Sequence, residues 1–234
     1  MWSGVLGARP FGRCLVSGLA GVLLLLPVAA CGSKQPYFVA ANEPWRGDLE
    51  RMCLRSGLVR ETNYIDALKA ISGPSVCGAR KPFSVSAVSN GKVALEPEAT
   101  LRCGMIPAVE EWVADVVQPA ARKAFGEEVT AMRVAASYAC RPRNNRAGGR
   151  LSEHGYANAI DISRFTLADG RVVSVEADWN GGSPQEKVFL REVHAGACGP
   201  FTTVLGPEAD AAHRTHFHFD LARRGRNGHG LYCR

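Results

Sequence analysis

The chain has 234 residues, of which 46% are hydrophobic and 21% charged, and a formal net charge of +6; that is enough chain to bury one ordinary core in a single domain. Its basic residues are scattered, and no run of Lys and Arg alternates with aromatics, which argues against nucleic acid as a partner and leaves an anionic polymer as one that the charge suits. There is no internal repeat and no low-complexity Pro tract.

Residues 1–30 read as an export signal. Arg9 and Arg13 precede an apolar stretch from Leu15 to Pro27 that is too short for a comfortable membrane span. It ends Val28-Ala29-Ala30-Cys31-Gly32, which resembles the bacterial lipobox, so Cys31 is expected to carry lipid and to begin the mature chain. The plainer alternative is cleavage after Ala30 with Cys31 left as a thiol. Gly32 is not the Asp that signals inner-membrane retention in lipoproteins, so anchoring in the outer membrane is expected. Residues 31–46 mix small, polar and Pro residues without periodicity and read as a tether, which leaves 47–234 for the domain.

With Cys14 lost in the signal and Cys31 lipidated, Cys53, Cys77, Cys103, Cys140, Cys198 and Cys233 remain. No pair has the spacing of a thiolate zinc site, and an even set in an oxidising periplasm reads as three disulfides. Many connectivities are possible; pairing neighbours in chain order gives Cys53–Cys77, Cys103–Cys140 and Cys198–Cys233.

Asp48 to Leu68 carries helical turns. Phe83 to Leu95 alternates apolar positions around Ser89-Asn90-Gly91 and reads as a hairpin. Pro107 to Phe125 is the clearest helix, with Val109, Trp112, Val113, Val116 and Val117 on one stripe and Gly126 as its stop, while Pro119 kinks or interrupts it. Glu110 and Glu111 fit its solvated face. Val129 to Ala139 and Val172 to Val175 are strand candidates, and Pro184 to Ala195 is helical.

Two segments hold four of the six histidines, one around His154 and one from His213 to Asp220. In a strand from Thr215 to Phe219, His216 and His218 share one face while Phe217 and Phe219 take the other. The same alternation in Ala159 to Ser163 sends Ile160 and Ile162 to the core and Asp161 the opposite way. Neighbouring strands would then present Asp161 and His218 together. His154 lies seven residues before Asp161, an odd offset, so the intervening Gly155-Tyr156-Ala157-Asn158 must turn. Two imidazoles and a carboxylate suit zinc, and three protein ligands leave the open position that a catalytic site needs.

The Ser-x-His-x-x-x-x-Ala-x-Asp frame from Ser152 to Asp161, followed by His216-x-His218, resembles the zinc signature of the lysostaphin, D-Ala-D-Ala carboxypeptidase and penicillin-insensitive murein endopeptidase group. His213, His216 and His218 in His-x-x-His-Phe-His are similar to the murein endopeptidase in particular. The wider chain from about Cys53 to Arg234, including Val76-Cys77-Gly78, Leu101-Arg102-Cys103, Ser137-Tyr138-Ala139-Cys140-Arg141 and Thr203-Val204-Leu205-Gly206-Pro207, resembles the bacterial extensin-like C-terminal domain family. The resemblance implies that His154, Asp161 and His218 bind Zn2+. It also implies that Arg141 holds a substrate carboxylate or carbonyl, against the alternative of a surface ion pair. Two departures stand out. Many relatives have Gly where this chain has Ala157, so a different turn is expected there. Thr215 occupies the place of the Glu base of the dipeptidase-like branch, so that role falls to His216 or His213.

Other residues carry paired readings. Ser152 orients His154 or caps the turn, with the cap favoured. Asp220 accepts a proton from a ligand imidazole or forms a plain charge pair. Trp179 lines the cleft or, as is commoner for Trp, packs in the core. His194 and His229 have no partner at useful spacing. The expected fold is α+β, a small antiparallel sheet carrying the metal site, flanked by helices and braced by disulfides. The expected function is a zinc-dependent peptidoglycan amide hydrolase on the periplasmic side of the cell envelope. The alternatives are a murein-binding lipoprotein that keeps the fold without turnover, and a zinc hydrolase of another amide or ester.

Overall fold

The computed structural model describes residues 37–234. The signal segment, Cys14, the lipidation candidate Cys31 and the start of the tether lie outside the described residues. From Tyr37 on, the tether segment is docked: Phe38 packs with Cys77, Leu151 and Tyr156, and Val39 exchanges backbone hydrogen bonds with Gly149 and Leu151 at 2.8 Å each. Among the described residues no helix is long and apolar enough to cross a membrane.

Helix α1 (Trp45–Ser56) stops at Gly57, whose positive φ closes the last turn. The helical expectation fails beyond it, since the chain extends into β1 (Ile65–Ala67) and a two-stranded ribbon of β2 (Ile71–Ser72) and β3 (Gly78–Ala79). The hairpin is present as β4 (Pro82–Val88) and β5 (Val93–Arg102), turning through left-handed Ser89, Asn90 and Gly91. Glu110, expected on a solvated face, accepts the Ser89 N–H at 2.7 Å and so holds that turn. The long helix is interrupted as Pro119 demands. Helix α2 (Met105–Trp112) widens into a π-helical stretch, Val113–Val117, before α3 (Gln118–Phe125), because Pro119 lacks the N–H for the regular ladder and its ring crowds the preceding turn.

Strands β6 (Val129–Ala136), β7 (Ala159–Leu167) and β8 (Val172–Ser174) follow, then helices α4 (Val175–Gly181) and α5 (Pro184–Ala195). Three short strands finish the chain: β9 (Thr203–Leu205), β10 (Phe217–Asp220) and β11 (Tyr232–Cys233). The main sheet runs β1-β4-β5-β6-β7-β10-β9-β11, with β8 also on β7.

This corrects the expectation of a small antiparallel sheet. The sheet has nine strands and is mixed, with β5 parallel to β6 and β9 parallel to β11. The first parallel pair exists because the helical segment from Met105 to Phe125 crosses over between its strands. The edge strands are two or three residues long, too short for a period to register.

Helices α2, α3 and α5 cover one face of the sheet. Trp112 sits at the centre of that layer, its ring 4.9 Å from Phe219 and its Nε1–H donating to the Val193 carbonyl at 2.9 Å. Ile160, Ile162, Phe217 and Phe219 point into this core. Trp179 is core too, packed on Phe217 rather than lining the cleft.

Three disulfides form: Cys53–Cys103, Cys77–Cys140 and Cys198–Cys233. Only the last pairs neighbours in chain order. The hairpin carries Cys103 back to α1, where it meets Cys53, and leaves Cys77 free to reach Cys140 beyond the end of β6.

Candidate metal centre

Strand β10 lies antiparallel to β7 with His218 directly opposite Asp161. Opposed residues share a face, and this is the face away from the helices. The His218 Nδ1 is 2.8 Å from Asp161 Oδ1. His154 arrives from a separate 3-10 turn, Glu153–Tyr156, and its Nε2 lies 3.2 Å from the same Asp161 oxygen and 3.1 Å from His218 Nδ1. Among the described residues these three side chains are the group able to hold a metal ion, with one donor atom from each within 4.8 Å of the others.

The outward bonds of both imidazoles fix which nitrogen is offered. The His154 Nδ1–H donates to the Ser137 carbonyl at 2.5 Å, and the His218 Nε2–H donates to Asp220 Oδ2 at 3.0 Å. Each ring therefore turns its other nitrogen toward the centre, the orientation by which imidazoles bind a metal. Asp220 is thus the partner of the His218 ring, a contact that meets both readings made of it.

Burial penalises the Asp161 carboxylate, but the His154 and His218 imidazoles outweigh that and hold its pKa well below the usual range. Burial likewise disfavours a charged His218, yet hydrogen bonds to Asp161 and Asp220 raise its pKa to about 10. In metal-free protein a proton thus occupies the place of the cation. Asp220, penalised by burial, is lowered by His218.

The second Asp161 oxygen, Oδ2, faces the auxiliary residues: His216 Nε2 at 3.6 Å and an Arg141 guanidinium nitrogen at 3.9 Å. Arg141 is therefore part of the site and not a partner in the surrounding loop. Burial, ahead of any neighbouring charge, lowers the His216 pKa, so its ring is neutral near pH 7. Thr215, which stands at the absent Glu, contacts His216 Nδ1 through its hydroxyl at 3.2 Å. His213 is buried beside both, 5.5 Å from His216 and 5.6 Å from His218 between ring centroids. Its Nδ1–H donates to Asp210 at 2.8 Å, and Asn144 donates to the other Asp210 oxygen at 3.3 Å. Arg141, Asn144, Asp210, His213 and His216 line a cavity of about 570 Å³ together with His154 and His218.

The turn that carries His154 departs from expectation. Ala157 takes the left-handed conformation, φ 52°, that was expected to be closed to it. Such a residue costs about 1 kcal/mol or more, and three bonds hold it there: its N–H to the His154 carbonyl, its carbonyl to the Arg102 N–H, and the Asn158 N–H to the Glu153 carbonyl. Ser152 closes the same turn through its backbone, accepting the Gly155 N–H at 3.0 Å. Beneath it Glu153 is buried in a bidentate pair with Arg46, both bonds 2.7 Å, and Asn158 adds a third at 2.7 Å. Arg46 stacks 3.9 Å from the Tyr156 ring. Helix α1, held to Cys103 by a disulfide, thus clamps the turn.

Several of these partners escaped sequence reasoning. Asp210 was missed, although its Asp-Ala-Ala-His spacing to His213 offered a signal. The Ser137 carbonyl is main chain and has no signal. Arg46 is 107 residues from Glu153 and nothing local links them. His194 packs between Trp179 and Phe217 on the helical side, and His229 is exposed in the C-terminal loop; neither joins the cluster.

The sequence matches the family described as extensin-like protein C-terminus over residues 51–234. The chain belongs to that family. No curated protein and no solved structure matches it.

Proposed function

We propose that the chain is a zinc-dependent amide hydrolase that cuts peptidoglycan peptides on the periplasmic side of the cell envelope, held there by lipid on Cys31. The observation that carries this reading is the division of labour at Asp161: Oδ1 joins His154 Nε2 and His218 Nδ1, while Oδ2 faces His216 and Arg141. The donor set, two imidazoles and one carboxylate, fits zinc with a position left open. Zinc in such a site polarises a carbonyl and lowers the pKa of water toward neutrality.

His216 is neutral and within reach of the centre, so it can take a proton from attacking water. Asp210 holds the His213 ring in place, so that His213 can assist or pass the proton on to the leaving amine. Arg141 presents a fixed guanidinium to the substrate carbonyl or its developing negative charge. The resemblance to the lysostaphin, D-Ala-D-Ala carboxypeptidase and murein endopeptidase group supports an amide bond as the target. The export signal and the oxidised cysteines support the compartment.

The test is digestion of purified sacculi by zinc-loaded wild type and by His218→Ala, with the released muropeptides mapped by mass spectrometry. New amine ends made by the wild type alone are the expected result. Sacculi that retain the wild-type protein with no new ends would replace the hydrolase by a murein-binding protein.

A further inference from the structure

The cleft around the metal centre holds more positive charge than its own carboxylates use. Each acid lining it is already engaged: Glu153 by Arg46, Asp210 by His213, and Asp220 by His218. Arg141 faces Asp161. Two further lining arginines, Arg143 and Arg224, have no carboxylate within ion-pair distance among the described residues.

Arg224 is a placed group and not a loose surface cation. Its Nε–H donates to the Thr203 hydroxyl at 2.8 Å, its guanidinium carbon lies 5.0 Å from the centre of the Tyr232 ring, and its backbone carbonyl accepts the Gly230 N–H at 2.9 Å. Thr203 is itself buried and stands opposite Asp220, the residue that supports ligand His218. With its Nε bound, the two terminal nitrogens of Arg224 remain as a fork of donors, the geometry that a carboxylate meets with two parallel bonds. Thr203 is one strand away from β10 and two residues along from His218. That puts the guanidinium on the order of 10 Å from the metal ligands, about two to three residues of extended chain.

We propose that Arg224, with Arg143 in the same cavity, forms a carboxylate-binding subsite that selects the bond to be cut: an amide with a free carboxylate about two to three residues away. This rests on the hydrolase reading and deepens it, by making the substrate an acidic peptide rather than any peptide the cleft admits. A carboxamide at the same place brings no charge, so amidation of the substrate would lower its use without altering the bond attacked.

Two synthetic murein stem peptides test this, one with the free α-carboxylate of its D-Glu and one with that group amidated. Each is supplied to the zinc-loaded full mature chain, as wild type, Arg224→Ala and Arg224→Lys. The wild type is expected to favour the free acid by about 10- to 100-fold in kcat/KM. Arg224→Ala should lose that preference while its rate on the amidated peptide stays within a few-fold, and Arg224→Lys should keep part of it. Calorimetric binding of both peptides gives a second readout that needs no turnover. If nothing is cleaved but the wild type binds the free acid more tightly and Arg224→Ala does not, the hydrolase reading falls and the subsite stands. Equal use and equal binding of the two peptides by the wild type overturns the subsite, as does an Arg224→Ala loss that is the same for both. Thermal melts of the two variants identify any unfolded one, and Arg224→Lys then carries the comparison.

Discussion

Replacing Arg46 with Met should weaken the whole domain through a residue far in sequence from the metal centre. The Arg46 guanidinium makes two 2.7 Å bonds to Glu153, a third to Glu43 at 2.7 Å, and stacks on Tyr156 and Trp45. The Glu153 side chain is only 2% exposed, so Arg46→Met leaves a buried carboxylate with Asn158 as its remaining side-chain donor. Breaking a buried pair in this way costs about 3–5 kcal/mol, a large share of the roughly 5–15 kcal/mol that holds a domain folded. For a domain of this size the Tm should fall by about 6–20 °C, at roughly 2–4 °C per kcal/mol. Urea unfolding of the two proteins measures the loss directly. Adding Glu153→Gln to Arg46→Met removes the stranded charge and should restore a good part of the stability. A loss below about 1 kcal/mol, or a double variant no better than the single one, would refute the claim that an uncompensated anion is the cause.

Three further outcomes follow from the same geometry. Asp220→Asn keeps the shape but weakens the bond that orients His218, so zinc affinity measured by chelator competition should drop about 10- to 100-fold with little change in the fold. The raised pKa of His218, about 10 against an ordinary 6.5, stabilises the metal-free protein fully below pH 6.5 and loses that effect as pH rises through about 10. Metal must displace that proton, so calorimetry at about pH 7.5 in buffers of different ionisation enthalpy should report about one proton released per zinc, and none released would contradict the arrangement. Replacing Cys53 and Cys103 with Ala opens a loop of 50 residues and should cost roughly 4 kcal/mol on the chain-entropy account, read as a fall in the urea midpoint.

How far the site could be read in advance depended on what each residue's partners are. Asp161 and His218 were legible because Ile160, Ile162, Phe217 and Phe219 flank them, and alternation with period two leaves one choice of face. His154 has no such flank. It sits in a 3-10 turn whose shape comes from tertiary bonds to Arg102 and Arg46, and its ring is aimed by the carbonyl of Ser137, so the sequence showed that the chain must turn there but not where the ring would point. The expected bar on a positive φ at Ala157 failed for the same reason, since local preference yielded to bonds from distant elements. Chain order misled for Cys53 and Cys77 because β4 and β5 fold back between them and their true partners. The sheet was underestimated because β1, β9 and β11 carry too few residues to show a period and are recruited by the strands beside them.

The metal centre is tied to the core by register. A slip of one residue between β10 and β7 would place Phe217 or Phe219 opposite Asp161 and turn His218 into the layer around Trp112. Because side chains alternate, that single step would expose two buried phenylalanines and bury an imidazole with two unmet nitrogens, several kcal/mol in all. On the other side, irregularities in the β6–β7 pairing near Arg133 and Val134 let β6 bend while Asp161 still meets Ala136. Ser137, the next residue along, then delivers its carbonyl to His154. The apolar pattern that folds the sheet therefore also brings two of the three ligands together, and the end of β6 aims the third.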